Sequence, residues 1–406
     1  MDFDDSPAEA AFRAEARAFL EANAKPKGPD SVGHGASHVA GSAEEQQHVR
    51  KAQAWQATLY DSGWAGITWP KEYGGRGGTS VQQMIWNQEL SKFDAAPGVF
   101  AQGIGMAGPT LMQHGTPEQK ERFIGPMLRG DELWCQLFSE PGAGSDLAAL
   151  STKAVRDGDE FVVNGQKVWT SSAHYSDWGI LLTRTDIDVP KHRGITYFLV
   201  DMRSPGIEIR PLHQITGIAH FNEVFLTDVR IPAANMVGGL NCGWGVAMTT
   251  LTSERTLIGG NAAIQTKDIV DMVHRSGRGD DPVVRNEAAS IIIQLELLKY
   301  MGLRVQTSIS QGTAAGAVSS VLKLGYTKLQ TELNDFAMEL AGASGMLWED
   351  SDPITNRRAQ QFLGQWNSKI GGGTDQVQRN IVSERILGLP GDVRVDKHVP
   401  FKDMPR

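Results

Sequence analysis

Three consecutive glycines, Gly371 to Gly373, stand late in the sequence and are followed by Thr374 and Gln376. Glycine lets the backbone approach another molecule closely and leaves its amide N–H groups accessible. A helical pattern begins after this run, and a helix N-terminus favours a carbonyl oxygen or a phosphate. The segment 370–380 therefore predicts a binding loop, although a glycine turn alone is weak evidence because many helices start this way.

A second group of candidate residues lies in the segment 138–147. Three of its residues favour a compact loop with exposed amides, namely Pro141, Gly142 and Gly144. Two others carry hydroxyls that donate or accept hydrogen bonds, Ser139 and Ser145. Taken by itself, the segment is more typical of a surface turn.

The segment 164–172 follows about 25 residues later and places Trp169 beside the hydroxyls of Thr170, Ser171 and Ser172. An indole next to hydroxyls could form a wall for a flat heteroaromatic ring and bond the atoms at its edge. A tryptophan packed into the core at a strand end is the alternative. The residues alone leave both open.

Composition excludes several classes of function. The 406 residues carry a net charge of −8, and the pI near 5.7 argues against nucleic acid as the main partner. No run approaches the roughly 18 apolar residues of a membrane span, and the acidic N-terminal residues do not resemble a secretory signal. Cys135 and Cys242 are too few for a disulfide framework or a zinc site. We therefore expect a cytoplasmic protein without a metal centre.

The first third of the chain is predicted to be mostly helical. Phe12, Ala16, Phe19 and Leu20 recur at helical spacing and predict a helix over residues 6–23. Further helices are predicted over residues 44–62, 81–92 and 117–128. Residues 24–42 predict a loop, and residues 64–79, with Pro70 and four glycines between residues 74 and 78, predict a surface turn region.

From about residue 133 the pattern is that of strands. Asp157-Gly158 and Asn164-Gly165 are dipeptides typical of hairpin turns. Strands are predicted over residues 160–163, 167–170, 179–184, 195–201, 207–211 and 223–229. Short strands at this spacing predict a small β-barrel or sandwich.

After residue 243 the helical period returns. Helices are predicted over residues 244–273, 284–310, 318–342, 359–369 and 376–387. Long helices with apolar stripes pack as a bundle. The prediction is an α+β protein with an N-terminal helical domain (1–132), a β-domain (133–238) and a C-terminal helical bundle (239–406).

The sequence resembles the acyl-CoA dehydrogenase family along essentially its whole length. The resemblance rests on the order and spacing of five segments, 69–75, 138–147, 164–171, 222–232 and 371–389. It implies the same α–β–α architecture with a C-terminal four-helix bundle, and FAD as the cofactor. It also implies that an acyl-CoA thioester is desaturated and that an electron-transfer flavoprotein accepts the electrons.

The resemblance also assigns roles to residues. The residues that match flavin-binding positions are Phe138, Ser139, Gly144, Ser145, Trp169, Ser171, Thr374 and Gln376. Ser145 also matches a position near the substrate path. The Gly372 N–H matches the donor to the thioester carbonyl, an oxyanion-type contact that acidifies the α-carbon.

Many members of the family carry the catalytic glutamate where this chain has Gly372. Glu254 matches the position used by members with a relocated base, similar to isovaleryl-CoA, long-chain and actinobacterial-type enzymes. A desolvated carboxylate there would be suited to removing the α-proton. Arg255 matches a substrate-holding arginine, with a structural ion pair as the alternative.

The chain also departs from the family pattern. The usual Arg-x-x-Phe-Gly motif is missing, leaving Arg275 or Arg278 as candidates for the contact to the FAD pyrophosphate, and residues 341–345 only approximate the usual glycine turn. A homotetramer is expected, with a heteromeric assembly as the alternative. An oxidase or monooxygenase on the same fold, and an inactive flavin-binding partner subunit, remain open as functions. The acyl group of the substrate is not determined.

Overall fold

The computed structural model of the protein describes residues 5–27, 40–95, 99–260, 264–310, 318–348 and 353–404. Contacts divide the chain into two units, Met1–Ser253 with Arg394–Arg406, and Glu254–Val393. The two units are described separately. Of the predicted loop over residues 24–42, residues 28–39 lie outside the described residues.

The first unit begins with helices whose starts are fixed by side-chain caps. The elements are α1 (Pro7–Asn23), β1 (Lys25–Pro26), α2 (Ala43–Asp61), α3 (Ser80–Leu90), β2 (Phe93–Asp94), α4 (Gly108–His114) and α5 (Pro117–Arg129). Ser6, Thr79 and Thr116 each accept from a backbone N–H three residues on and complete a capping box. The four helices predicted in this region are confirmed.

The helices of the first unit enclose an aromatic core. Trp64 stacks on Trp86 with ring centroids 4.7 Å apart, and both are buried. Ile67 and Trp69 are buried as well, so the prediction of a surface turn region over residues 64–79 is wrong for its apolar residues. The glycines there allow close packing: a Cβ on Gly75 would lie 2.4 Å from the Trp69 carbonyl oxygen.

The β-rich part of the first unit is an open sheet. Its strands are β3 (Trp134–Leu137), β4 (Lys153–Asp157), β5 (Glu160–Ser171), β6 (Trp178–Arg184), β7 (Ile195–Asp201), β8 (Ile207–Leu212), β9 (Phe221–Pro232) and β10 (Met236–Val237). Their order is β10-β7-β6-β4-β5-β9-β8, with β3 paired to β6. Among the described residues the end strands β10 and β8 do not pair, so the barrel that the sequence suggested does not close.

One of the two predicted hairpin turns is present. Asp157 pairs with Glu160 across the turn between β4 and β5, as predicted. The turn predicted at Asn164-Gly165 is wrong, because β5 runs straight through it with a register shift against β9. Gly165 has no room for a side chain, since a Cβ would lie 2.4 Å from the Thr152 hydroxyl oxygen. The glycine therefore serves a close approach inside the sheet.

The remaining helices are α6 (Gly243–Gly260), α7 (Thr266–Arg275), α8 (Pro282–Ser310), α9 (Val318–Ala341), α10 (Pro353–Ile370) and α11 (Asp375–Arg385). The single helix predicted over residues 244–273 is wrong. Ile264 and Gln265 are not helical. Gln265 precedes α7, and its backbone N–H donates a hydrogen bond to the Asp268 carboxylate. The other predicted helices are confirmed.

The second unit has its own apolar core, formed mainly by α7, α8 and α9. The buried side chains that share it include Ile269, Ile291, Leu295, Leu329, Leu333 and Phe336. The predicted fold class, with helical, β and helical parts in that order, is confirmed. In the part of the chain that the structure describes, no helix is long and apolar enough to cross a membrane.

Candidate active site

The loop that follows β3 is anchored to β5 by a buried ion pair. Lys167 Nζ donates to Glu140 Oε1 at 2.8 Å and to the Phe138 carbonyl oxygen at 3.0 Å. The Glu140 carboxylate also accepts from the N–H groups of Ser151 at 2.7 Å and Thr152 at 2.9 Å. Burial alone would raise the pKa of Glu140, but the Lys167 charge and these hydrogen bonds lower it to about 2. The loop is thereby held at both ends.

Trp169 has an unusual backbone and an exposed side chain. Its φ is 61°, in the left-handed region, at a register shift between Lys167 and Thr170 where β5 bulges against β9. Its indole is 60% exposed and meets the Phe221 ring edge-on, with centroids 5.9 Å apart. A left-handed non-glycine residue costs about 1–2 kcal/mol. This strain, together with the exposed ring, makes Trp169 a candidate functional position. The alternative of a core tryptophan is wrong.

The start of the predicted loop lies close to this bulge. Val168 N–H donates to the Ser139 carbonyl oxygen at 2.9 Å, which joins the loop to the residue before Trp169. Phe138 is buried against Tyr197, and Gly144 and Ser145 are exposed.

Three serine hydroxyls of the first unit have unused hydrogen-bonding capacity. Among the described residues, the side chains of Ser139, Ser145 and Ser171 make no hydrogen bond. These serines are exposed or half-buried. An exposed indole with unengaged hydroxyls in the same region suits a flat ring that has polar atoms at its edge. The residues of the first unit therefore fit a flavin.

The glycine loop of the second unit lies between α10 and α11. Gly372 and Gly373 both have left-handed φ, 65° and 83°. The buried Gln378 donates to the carbonyl oxygens of Gly372 at 2.7 Å and Gly373 at 3.3 Å. Neither glycine N–H donates to another described residue. Thr374 caps α11 through Val377 N–H, and the loop thus offers two amides beside a helix N-terminus.

A buried lysine of α9 anchors this loop. Lys323 on α9 is fully buried and donates to Asp375 Oδ1 at 3.0 Å and to the Lys369 carbonyl oxygen at 3.3 Å. Thr327 donates to the same carboxylate oxygen at 3.0 Å. Asp375 is the first residue of α11, so these bonds tie the glycine loop to α9. Its carboxylate is therefore engaged within the second unit.

Glu254 and Arg255 are half-buried on α6. Burial lowers the pKa of Arg255, and the Glu254 charge opposes that shift. Burial likewise lowers the pKa of Lys323, where Asp375 and, more weakly, Glu254 oppose it. Glu254 therefore shares the second unit with the lysine that anchors the glycine loop.

The predicted residues fall into two groups. The first unit contains Phe138, Ser139, Gly144, Ser145, Trp169 and Ser171, of which Ser139 is joined to the residue before Trp169, and the second unit contains Glu254, Arg255, Gly372, Thr374 and Gln376. Gln376 is exposed on α11. Sequence reasoning missed the supporting residues Glu140, Lys167, Lys323 and Gln378. A charged residue inside the otherwise apolar segment 321–325 was the available signal for Lys323.

Comparison with known proteins gives three family matches in chain order. The models for the N-terminal, middle and C-terminal domains of acyl-CoA dehydrogenase match residues 6–131, 135–229 and 241–387. The chain belongs to the acyl-CoA dehydrogenase family. This is a family of flavoprotein oxidoreductases, typically FAD-dependent, in agreement with the flavin-compatible residues of the first unit.

Individual members of the family are similar over most of this chain. Acyl-CoA dehydrogenase IpdE1 of Mycobacterium tuberculosis is 37% identical over 94% of this chain and 98% of its own length. Acyl-CoA dehydrogenase FadE34 of the same organism is 42% identical over 82% of this chain, which spans only 46% of FadE34. One chain of the ChsE4-ChsE5 complex from M. tuberculosis is 31% identical with a TM-score of 0.76, and the match covers 97% of this chain and 100% of that chain.

The two arginines considered for the pyrophosphate contact have partners within the second unit. Arg278 pairs with Asp281 at 2.9 Å and approaches Glu339 at 3.8 Å. Arg275 donates to the Asp271 carbonyl oxygen at 3.3 Å. Which of them contacts a dinucleotide stays a prediction.

Proposed function

We propose that this member of the acyl-CoA dehydrogenase family uses FAD to convert an acyl-CoA thioester to its α,β-unsaturated thioester. The α-carbon loses a proton and the β-carbon loses a hydride, so that a C–C double bond forms. When bound, FAD supplies the hydride acceptor. The observation that carries the proposal is the strained, exposed Trp169, joined through Val168 to the loop at Ser139, in a chain of this family.

Specific side chains are proposed to hold the cofactor. Trp169 would cover one face of the ring system, and Ser139, Ser145 and Ser171 would bond its edge atoms. Phe138 and Gly144 would shape the loop around it, while Thr374 and Gln376 would hold the dinucleotide. Lys167 and Glu140 act indirectly, because their ion pair holds the loop in place against β5.

The second unit is proposed to carry the acid–base chemistry. The Gly372 N–H, which donates to no other described residue, would donate to the thioester carbonyl oxygen and stabilise enolate character. Glu254, half-buried in the same unit as the glycine loop and matching the relocated base of the family, would take the α-proton. Arg255 would hold the substrate near this carboxylate.

Glu254→Gln tests the assignment of the base. The variant should bind FAD, measured by its visible absorbance, but should bleach the flavin with acyl-CoA more slowly by about 10²–10⁴-fold, the contribution of a positioned general base. Asp335→Asn, an exposed carboxylate of α9 in the same unit, is the matched control and should bleach normally. Undiminished bleaching by Glu254→Gln would show that another group removes the proton. A panel of acyl-CoA thioesters in the same assay would define the acyl group.

We also propose how the chain is organised and what it works with. The three family matches support the division into domains at 1–132, 133–238 and 239–406. An electron-transfer flavoprotein is the proposed electron acceptor, and a cytoplasmic location stays a prediction. The similarity to one chain of the ChsE4-ChsE5 complex supports assembly with a related, non-identical subunit as an alternative to a homotetramer.

A further inference from the structure

The segment 396–402, called the strap below, packs on the connection between β6 and β7. Phe401 N–H donates to the Val189 carbonyl oxygen at 2.9 Å, and Lys402 N–H donates to the Ile187 carbonyl oxygen at 3.0 Å. Pro400 forms a β-bridge with Pro190. These backbone contacts hold the strap against the first unit although it follows the helical second unit in sequence.

Lys191 links the strap to the loop that carries Ser145. It lies in the β6–β7 connection, and its buried side chain donates to Asp396 Oδ2 at 2.6 Å and to Asp146 Oδ2 at 2.7 Å. Asp396 belongs to the strap, and Asp146 directly follows Ser145. A single ammonium group therefore bridges one carboxylate from each segment and holds both in place.

Arg184 forms a second link between the same segments. Its buried guanidinium donates to the carbonyl oxygens of Ala148 at 2.5 Å and Leu150 at 3.2 Å, where the loop ends. It also donates to the Lys191 carbonyl oxygen at 2.5 Å. The Phe401 ring of the strap covers this guanidinium, 3.9 Å from its central carbon, a cation–π distance that also limits access of water.

We propose that the strap is a positioning element for the site, acting through Lys191 and Arg184 to hold Ser145 and the end of its loop in the conformation that binds FAD. Lys191 and Asp396 are positioning residues and need not touch the cofactor. The link to FAD rests on the proposed function. The effect on the order of the loop is independent of the proposed function, because it is measured in the cofactor-free chain.

The test compares Lys191→Met and Asp396→Asn in the full chain. FAD dissociation constants should rise about tenfold for Lys191→Met and about threefold for Asp396→Asn, the order expected for the loss of two and of one partly exposed ion pair. Lys191→Arg should restore most of the affinity. Lys402→Met removes only the exposed pair to Asp188 and should bind FAD like the wild type.

Hydrogen exchange of the cofactor-free proteins gives an independent measurement. The N–H groups of Ala149 and Leu150, which bond within the loop end, should exchange several times faster in Lys191→Met than in Lys402→Met. If the wild type binds FAD and the variants bind it as tightly, with unchanged exchange and only a lower Tm, the strap is merely structural and the proposal is wrong. If the wild type binds no FAD, the proposed function fails, while the exchange rates still decide the role of the strap.

Discussion

Replacing Lys167 by methionine should reverse the pH dependence that Glu140 gives to the stability of the fold. In the folded protein the pKa of Glu140 is about 2, against an ordinary value of 4.5. That difference corresponds to about 3 kcal/mol in favour of the folded, ionised state at neutral pH. Removing one partner of a buried pair costs about 3–5 kcal/mol, because the other charge stays buried without compensation.

The sign of the pH effect distinguishes this account from a general loss of packing. In the wild type the folded pKa is lowered, so the stabilisation by Glu140 is complete above about pH 4.5 and is lost as the pH falls toward 2. In Lys167→Met, burial is no longer opposed by the lysine charge, and the pKa of Glu140 should rise above its ordinary value. The variant should therefore recover stability relative to the wild type as the pH is lowered from 7 to about 5.

Urea unfolding at a series of pH values, followed by tryptophan fluorescence, measures this difference. Lys153→Met, an exposed lysine of β4, controls for loss of a positive charge and should change the unfolding free energy by less than about 0.5 kcal/mol. The double variant with Glu140→Gln should lose the reversed pH dependence. A Lys167→Met protein destabilised equally at all these pH values would refute the reasoning about charge.

Two further predictions concern the exposed surface. Trp169→Gly should leave the Tm of the cofactor-free protein equal or higher, because glycine tolerates the left-handed backbone and the indole is 60% exposed. The same variant should weaken FAD binding at least tenfold. Unchanged FAD affinity in a fluorescence titration would exclude a flavin contact. Ile293, Leu297 and Tyr300 form an exposed apolar face on α8, and light scattering of the purified chain should show an assembly that Leu297→Lys dissociates. A monomeric wild type that retains full activity would contradict this role for α8.

Local pattern determined the helices and most strands of this protein. The spacing of Phe12, Ala16 and Leu20 predicted a helix because residues four apart lie on the same helix face. All three side chains are buried in the structure. The order of helical, β and helical segments predicted the architecture, because helices and strands each have their own spacing of apolar residues. The glycine and serine segments also identified the candidate site, since residues that suit close approach and hydrogen bonding are visible in the sequence itself.

Only the tertiary structure decided which alternatives hold. Asn164-Gly165 has the local preference of a turn, but Thr152 packs against it and the strand continues. Trp169 suited either a core or a cofactor wall, and its exposure and positive φ depend on how β5 bulges against β9. Glu140 and Lys167 are 27 residues apart, and Lys191 and Asp396 are 205 apart. Such pairs follow from strand register and chain path, which long-range packing sets and local sequence preference does not.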